Sequence, residues 1–392
     1  MQYNLLQYGN AYGSCNESSN NTQHKDECIR TILNEVRPDI LTVCEFGRSA
    51  QLQTDFLRHN LNVGSDYWKS DNIINYQNSS IINHIFYDSR KMELKKHVAL
   101  RTSPRDSDVY ELYFKSSGLI VGDTVKLVCI VTHPKAGDEY EVDRLTTMRT
   151  IMNYIAQHYA TENVLIMGDF NIYRASEAGY QILTKNYEDN QSLFVDPLSR
   201  VGGVGEWHNN RTYASFHTQS TRNPSTPCFS SGGMDDRFDF ILMSDEIFMG
   251  SKNIRYVNNS YYAVGNDGSH FNQSINQNGN TVVSAEVAQA LYDMSDHLPV
   301  TMKLSVYAQL GVDEAAVVER IKVYPNPAND VLNVDVVGTA DYRISNVMGQ
   351  AVMIGRIGGE SHQINISGLS SGLYFINVNG AISKFVKTSS VD

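Results

Sequence analysis

The sequence predicts a layered α/β domain followed by a small all-β domain. Three observations carry that reading. Short apolar runs of strand length alternate with segments of helical period through residues 1–307. Beyond about Glu314 the composition changes to short alternating strands separated by Gly, Asn and Ser, the pattern of a β-sandwich. The chain's 392 residues also exceed one usual hydrophobic core, so two unequal domains are expected. The division reads as a first domain over 1–307, a linker over 308–320 and a sandwich over 321–392.

Tyr3 to Tyr8 is the first strand candidate, followed by a polar loop from Gly9 to Asn21. His24 to Val36 has the helical period, with Cys28, Ile32 and Val36 on one stripe and Ile29 and Leu33 beside it. Pro38 stops that helix, because a residue before proline is pushed away from helical angles. Ile40 to Cys44 is apolar and rich in β-branched residues, a buried strand that delivers Glu45 at its end. Further strands are expected from Ser80 to Asp88, Leu94 to Leu100, Tyr110 to Phe114 and Thr124 to Thr132, the last ending at His133. Tyr140 to Tyr159 reads as a helix with Leu145, Met148, Met152 and Ile155 on its apolar stripe. Val164 to Met167 is a short buried strand, broken by Gly168 where the chain needs room. Val201 to Met234 is rich in Gly, Asn, Ser, Thr and Pro and too long for an ordinary connection. Phe238 to Met243 is a strand, Asn258 to Thr281 a polar loop, and Val283 to Leu291 a short helix before a last strand to Tyr307.

The formal net charge of −11 argues against binding nucleic acid through bulk positive charge and suits a protein that binds divalent cations. A nuclease is not excluded, because a metal ion supplies positive charge locally. The five cysteines, Cys15, Cys28, Cys44, Cys129 and Cys228, follow no metal spacing of the CxxC kind. Cys44 and Cys129 sit inside apolar strand patterns as buried thiols. Cys15 and Cys28 are a candidate disulfide, and the odd count leaves at least one cysteine unpaired or paired between chains. No run reaches the roughly 20 apolar residues of a membrane helix. No signal peptide opens the chain, and Met1 to Leu6 already reads as the middle of a strand, so a trimmed or misassigned start is expected.

Polar residues gather at the ends of these strands: Asn4, Glu45, His133, Asp169 with Asn171, Asp239, and Asp296 with His297. Side chains at strand ends converge on one edge of a sheet. Asp169 and Asn171 stand two apart, so on an extended chain both leave by the same face. That pair suits a site that orients a water and grips an oxyanion; an Asp-Asn turn closing a strand is the plain alternative. Hard cations such as Mg²⁺ take one or two carboxylates and several waters, and Glu45 and Asp296 supply the carboxylates. Phosphodiester cleavage needs an oriented water and donors aimed at the charge growing on phosphorus, the work for which Asp169, Asn171 and the two histidines are suited. Asp239 lies inside an apolar strand, where an unpaired carboxylate is costly, so a partner such as His297 is expected. Arg222, Arg237 and His208 lie in or beside the long loop, where solvated side chains are the default reading and phosphate contacts the functional one.

Together Tyr3-Asn4, Pro38-Asp39-Ile40-Leu41 leading to Glu45, Thr132-His133, Gly168-Asp169-Phe170-Asn171, Phe238-Asp239-Phe240-Ile241-Leu242 and Ser295-Asp296-His297-Leu298-Pro299 resemble the endonuclease/exonuclease/phosphatase superfamily. The resemblance implies a four-layer α/β/β/α sandwich with its site at one edge of two packed sheets. It implies Glu45 as the main metal ligand, with Asn4 and Asp296 completing or supporting the site. The cofactor it implies is Mg²⁺, with Mn²⁺ and Ca²⁺ as alternatives. By the same resemblance Asp169 orients and helps deprotonate the attacking water, and Asn171 hydrogen-bonds that water or the scissile phosphate. His297 contacts the phosphate and is positioned by Asp239, while His133 binds the phosphate from the other side or protonates the leaving oxygen. Pro134 stands where the family usually has Leu, so a structural His133 is the alternative.

The segments Val323-Tyr324-Pro325-Asn326-Pro327, Gly349-Gln350, Ile366-Ser367-Gly368-Leu369, Gly372-Leu373-Tyr374-Phe375 and Lys384-Phe385-Val386-Lys387 resemble the C-terminal sorting domain of type IX secretion. That implies export through the secretion machinery, to the medium or the cell surface. The leading expectation is a secreted, metal-dependent nuclease acting on DNA or RNA. The alternatives are a same-fold phosphoesterase acting on sphingomyelin, inositol phosphates or another small phosphate ester, with Tyr261-Tyr262 as a loop to touch lipid, and a non-catalytic surface binding module.

Overall fold

The computed structural model describes residues 1–115, 125–185, 194–307, 321–336, 339–347, 349–358, 363–378 and 381–388. The chain divides into two compact units, Met1–Gln309 and Leu310–Asp392, and the expected linker over 308–320 lies outside the described residues.

In the first unit the strands are β1 (Gln2–Tyr8), β2 (Ile40–Gly47), β3 (Trp68–Ser70), β4 (Ile81–Asp88), β5 (Met92–Leu100), β6 (Ser107–Phe114) and β7 (Lys126–Thr132). They continue as β8 (Val164–Asp169), β9 (Phe194–Val195), β10 (Asp239–Ser244), β11 (Ile254–Tyr256), β12 (Tyr262–Ala263), β13 (Val300–Thr301) and β14 (Leu304–Val306). The helices are α1 (Thr22–Val36), α2 (Ala50–Phe56), α3 (Glu141–His158), α4 (Ala178–Thr184), α5 (Asp245–Met249) and α6 (Ala285–Met294).

Two six-stranded sheets result, with strand orders β12-β13-β1-β2-β4-β3 and β5-β6-β7-β8-β10-β9. They pack face to face, β1 and β2 against β7, β8 and β10. Both faces of the central strands are buried, which is why β7, β8 and β10 read as continuous apolar runs. Val128, Ile130, Val164, Ile166, Phe240 and Leu242 turn outward under α3 and α4. Their neighbours Leu127, Cys129, Leu165, Met167, Ile241 and Met243 turn inward, between the sheets, as the two-residue period requires. α1 and α6 pack on each other and join Tyr3, Leu5, Leu41 and Val43 of the first sheet in one core. The order helices, sheet, sheet, helices is the four-layer α/β/β/α sandwich.

Local chemistry sets the element ends. α1 begins two residues ahead of the expected His24, because the Asn21 side chain accepts from the His24 amide and caps the helix. β2 runs on through Glu45 to Gly47 rather than stopping at Cys44. Gly168 lies opposite Thr132 in the pairing of β7 with β8: a Cβ there would stand 1.8 Å from the Thr132 carbonyl oxygen, and φ is +152°. Only glycine fits that crossing.

The candidate Cys15–Cys28 disulfide does not form. Cys15 bonds to Cys228, at a Cα–Cα distance of 4.5 Å, and Cys28, Cys44 and Cys129 are free and buried. The reason is that α1 carries Cys28 on its inward face, whereas Cys15 sits in the exposed-side loop that meets the long Val201–Met234 loop. Of the Tyr261-Tyr262 pair, Tyr261 packs, buried with its hydroxyl on the Asp239 carbonyl at 3.3 Å, as a loop tyrosine more commonly does, and Tyr262 is exposed.

The second unit has its own core. A three-stranded sheet of Val323–Tyr324, Val331–Val334 and Gln363–Asn365 and a four-stranded sheet of Ala351–Ile357, Ala340–Asn346, Gly372–Val378 and Ala381–Lys387 contribute Leu332, Val334, Ile344, Ile364, Tyr374, Ile376 and Phe385 to it. Alternate residues of Gly372–Val378 face in, as expected of a sheet with one wet side.

Candidate active site

The site begins with an irregularity in two neighbouring strands. The pairing of β1 with β2 shifts register between Asn4 and Tyr8, and that of β2 with β4 between Val43 and Phe46. Leu6, Gln7 and Glu45 take left-handed backbone angles there, with φ of 46°, 50° and 56°. Such angles cost about 1–2 kcal/mol each outside glycine and need support from their surroundings. The support is visible: Asn20 Nδ2 donates to the Leu6 and Gln7 carbonyls at 2.9 and 3.2 Å, and buried Lys25 Nζ donates to the Leu5 and Leu6 carbonyls at 2.7 and 2.6 Å. Burial pushes the Lys25 ammonium down to about 7, while Asp296 and Glu45 oppose that fall.

The bulge turns the Gln7 amide and its side-chain Nε2 onto Glu45 Oε2, both at 3.1 Å. Asn4 then bridges the two sheets: its Nδ2 donates to Glu45 Oε1 at 3.1 Å and to Asp169 Oδ2 at 2.9 Å. Asn4 thus presents its nitrogen to the carboxylates, and its oxygen accepts from the Leu6 amide at 2.9 Å. In this arrangement Asn4 braces the two acidic groups through its nitrogen.

Asp169 ends β8 directly opposite Asp239, the first residue of β10. Its Oδ2 lies 3.3 Å from His133 Nε2 and 3.6 Å from His297 Nε2. His297 Nδ1 faces Asp239 Oδ2 at 2.8 Å, with both side chains buried. Burial raises the Asp169 carboxyl to about 7, helped by Asp239 and Glu45 and opposed by His297 and Asn4. Burial works against a charge on His297, but Asp239 and Asp169 outweigh it and hold the imidazole well above its usual value. His133 goes the other way: burial, then Arg105 and His297, hold it well below the ordinary histidine range. Arg105 donates from Nε to the His133 carbonyl at 2.9 Å, and His133 Nδ1 is buried with no hydrogen-bond partner among the described residues.

Ligand atoms of Glu45, His133 and Asp169 all lie within 4.8 Å of one another. Two carboxylates and a neutral imidazole at that spacing fit a divalent cation, and the unpartnered His133 nitrogen marks polar capacity the protein leaves unused. Asp296 stands apart from this cluster. Its Oδ2 accepts from the Ser230 amide at 2.9 Å, and its Oδ1 is buried without a partner among the described residues.

The structure therefore gathers Asn4, Glu45, His133, Asp169, Asp239 and His297 into one group joined by hydrogen bonds and close ion-pair contacts, with Asp296 beside it. Asn171 joins differently from expectation. It has φ of +50°, so the chain turns after Asp169 instead of staying extended. Its amide donates to Asp169 Oδ1 at 3.1 Å and its carboxamide to the Pro134 carbonyl at 3.4 Å. The turn reading holds for the backbone, and the turn itself seats Asp169.

Of the long-loop candidates, Arg237 is fully buried and forks onto Asp196 at 2.8 and 3.0 Å, a structural pair. Arg222 lies over Phe229 and Tyr292, and His208 pairs with Asp236 at 2.7 Å. Sequence reasoning missed Gln7, Lys25, Arg105 and Gln219, whose carboxamide nitrogen lies 2.7 Å from His297 Nε2. Lys25 left a signal, a lone cation on the apolar face of α1 one turn before Cys28 and Ile29. The other three left none, since a bulge and a loop crossing bring them in.

Comparison with known proteins follows this geometry. A model described as "Secretion system C-terminal sorting domain" matches residues 322–391, so the tail is that domain and directs secretion or surface attachment by the type IX system. No curated protein matches the chain. Similar solved structures include D. rerio TDP2 complexed with single strand DNA product, 12% identical at a TM-score of 0.48, covering 78% of this chain and 97% of that one. The endonuclease/exonuclease/phosphatase from Bacteroides vulgatus is 14% identical at a TM-score of 0.48, covering 78% of this chain and 97% of that one. The human Nocturnin catalytic domain is 13% identical at a TM-score of 0.45, covering 73% of this chain and 87% of that one. A model described as "Endonuclease/Exonuclease/phosphatase family" matches residues 1–297, more than half of the chain. With the Glu45, His133 and Asp169 cluster, that match supports a hydrolase acting on phosphate esters. The chain belongs to the endonuclease/exonuclease/phosphatase family.

Proposed function

We propose that this protein is a secreted, Mg²⁺-dependent phosphodiesterase, and that its substrate is DNA or RNA, hydrolysed by in-line attack of an activated water. The observation that carries the reading is the placement of His297, held by Asp239, against Asp169 and its neighbouring metal-type donors. A bound divalent ion would neutralise phosphate charge at this edge, with Glu45 as its main ligand and His133 and Asp169 beside it. Asp169, whose carboxyl is raised by burial, takes the proton of the attacking water, and Asn171 holds the turn that aims it. His297 donates from Nε2 to the phosphate oxygen where charge grows, and Asp239 fixes its ring. The depressed basicity of His133 assigns it to orienting Asp169 and to ligation rather than to delivering a proton. Asp296 accepts from Ser230 and positions the loop beside His297.

A phosphoesterase of the same fold acting on sphingomyelin or an inositol phosphate is the second reading, favoured by the net charge of −11. One panel separates them: plasmid DNA, RNA, sphingomyelin and inositol phosphates, each with Mg²⁺ and with chelator. Nicking of plasmid or cleavage of RNA that chelator abolishes is the expected result. Cleavage of lipid or inositol phosphate alone would move the substrate and keep the mechanism, and full activity in chelator would overturn the metal assignment. Silence on every substrate would return the chain to the binding-module reading.

A further inference from the structure

A second set of donors lies on the outer helices. His24 and Cys28 stand four apart on α1, so one helix face presents both. Asp293 comes from the last turn of α6, which packs on α1. His24 Nε2 lies 3.8 Å from Cys28 Sγ and 3.6 Å from Asp293 Oδ2, and ligand atoms of the three all fall within 4.8 Å of one another. In a tetrahedral zinc site, bonds of about 2.3 Å to sulfur and about 2.0–2.2 Å to nitrogen and oxygen place neighbouring ligand atoms roughly 3.3–3.7 Å apart. The two His24 separations already stand at or near that spacing, so an ion could enter with side-chain adjustment alone.

The surroundings are those of a metal site as well. His24 turns its other nitrogen, Nδ1, toward Glu27 Oε2 at 3.7 Å, within reach of the carboxylate backing that ligating imidazoles usually have. Asp293 Oδ2 is held by Gln289 Nε2 at 2.7 Å, while Arg222 approaches the other oxygen, Oδ1, at 3.4 Å. Cys28 is buried and His24 exposed, so an ion has both a thiol at the bottom of the site and an open side for entry and a water ligand. The competing account is an ordinary polar contact between two helices, with Cys28 an inert buried thiol.

We propose that His24, Cys28 and Asp293 form a second metal site, for a borderline-soft divalent ion of the zinc type, that ties α1 to α6. Thiolate and imidazole select such an ion over Mg²⁺ or Ca²⁺, which prefer oxygen. As the sulfur–metal bond forms, the Cys28 thiol releases its proton to solvent. The tie bears on the catalytic edge from behind. Lys25, next to His24, holds the β1 bulge, and Asp293 lies three residues before Asp296.

The test uses the full chain titrated with Co²⁺, a coloured stand-in for zinc, and follows the near-ultraviolet band that only a thiolate–cobalt bond produces. One equivalent should generate the band in the parent protein and equally in the Glu45→Gln, Asp169→Asn double variant. Cys28→Ser should abolish it, and His24→Ala, an exposed change that leaves the core intact, should weaken binding at least about 10-fold. Zn²⁺ should raise the Tm of the double variant and leave unchanged that of the same double variant carrying His24→Ala as well. Absence of the band in the parent protein, its survival in Cys28→Ser, or undiminished affinity in His24→Ala would each overturn the proposal.

Discussion

Removing the Cys15–Cys228 bond is expected to cost stability and turnover together. The bond joins the Gly9–Asn21 loop to the Val201–Met234 loop across 213 residues of sequence. For a closed loop of that length, chain entropy restricts the unfolded state by about 5 kcal/mol at 25 °C. Residual compactness of the unfolded chain trims that to about 3–5 kcal/mol. At about 2–4 °C of Tm per kcal/mol for a domain this large, the fall should be roughly 6–20 °C. The bond also holds one wall of the site. The Cys228 amide donates to Ser14 Oγ at 3.0 Å, and two residues on the Ser230 amide donates to Asp296 Oδ2 at 2.9 Å. Loosening that wall displaces the segment leading into His297, so kcat should drop about 10–100-fold with less change in KM. Thermal melts of the oxidised protein, the reduced protein and the Cys15→Ala, Cys228→Ala double variant measure the first effect. Initial rates well below the variant's melting point measure the second. A Tm within about 2 °C of the parent would refute the loop-entropy reasoning, and an unchanged kcat would refute the wall.

Three further outcomes follow from single contacts. Asp239→Asn keeps the side-chain volume but removes the charge 2.8 Å from His297 Nδ1, and kcat should fall about 10²–10⁴-fold while the melt stays close to the parent's; parent-level turnover would sink the assigned pair. Gly168→Ala would drive a Cβ to 1.8 Å from the Thr132 carbonyl, so it should destabilise the first unit by at least about 3 kcal/mol, read by urea unfolding. A chain ending at residue 307 should hydrolyse substrate at the parent rate and stay inside the cell; its appearance in the medium would contradict the sorting role of the tail.

Much of the site was legible in the sequence because its chemistry sits at strand ends. Glu45, Asp169 and Asp239 each interrupt or end an apolar run, and a carboxylate in such a place needs a partner wherever the chain goes. That ground called for a partner at Asp239, and the family resemblance named His297 as the one. At Asn171 the turn alternative holds over the extended one, because the left-handed turn there answers to the Asp169 side chain. The nitrogen-forward pose of Asn4 was hidden, since it depends on a bulge that Lys25 and Asn20 hold from outside the strand.

By itself the sequence determined the layered α/β domain, the β-sandwich tail and the set of acidic and imidazole groups, because period, punctuation and apolar runs are local properties. Tertiary structure alone decided which of those groups meet. Asn4 reaches Asp169 across 165 residues, Gln219 reaches His297 across 78, and Cys15 finds Cys228 across 213. Such contacts depend on how two sheets and two loops close on one another. No local pattern encodes that geometry, because each residue's own neighbours in sequence are satisfied whichever distant partner it finds.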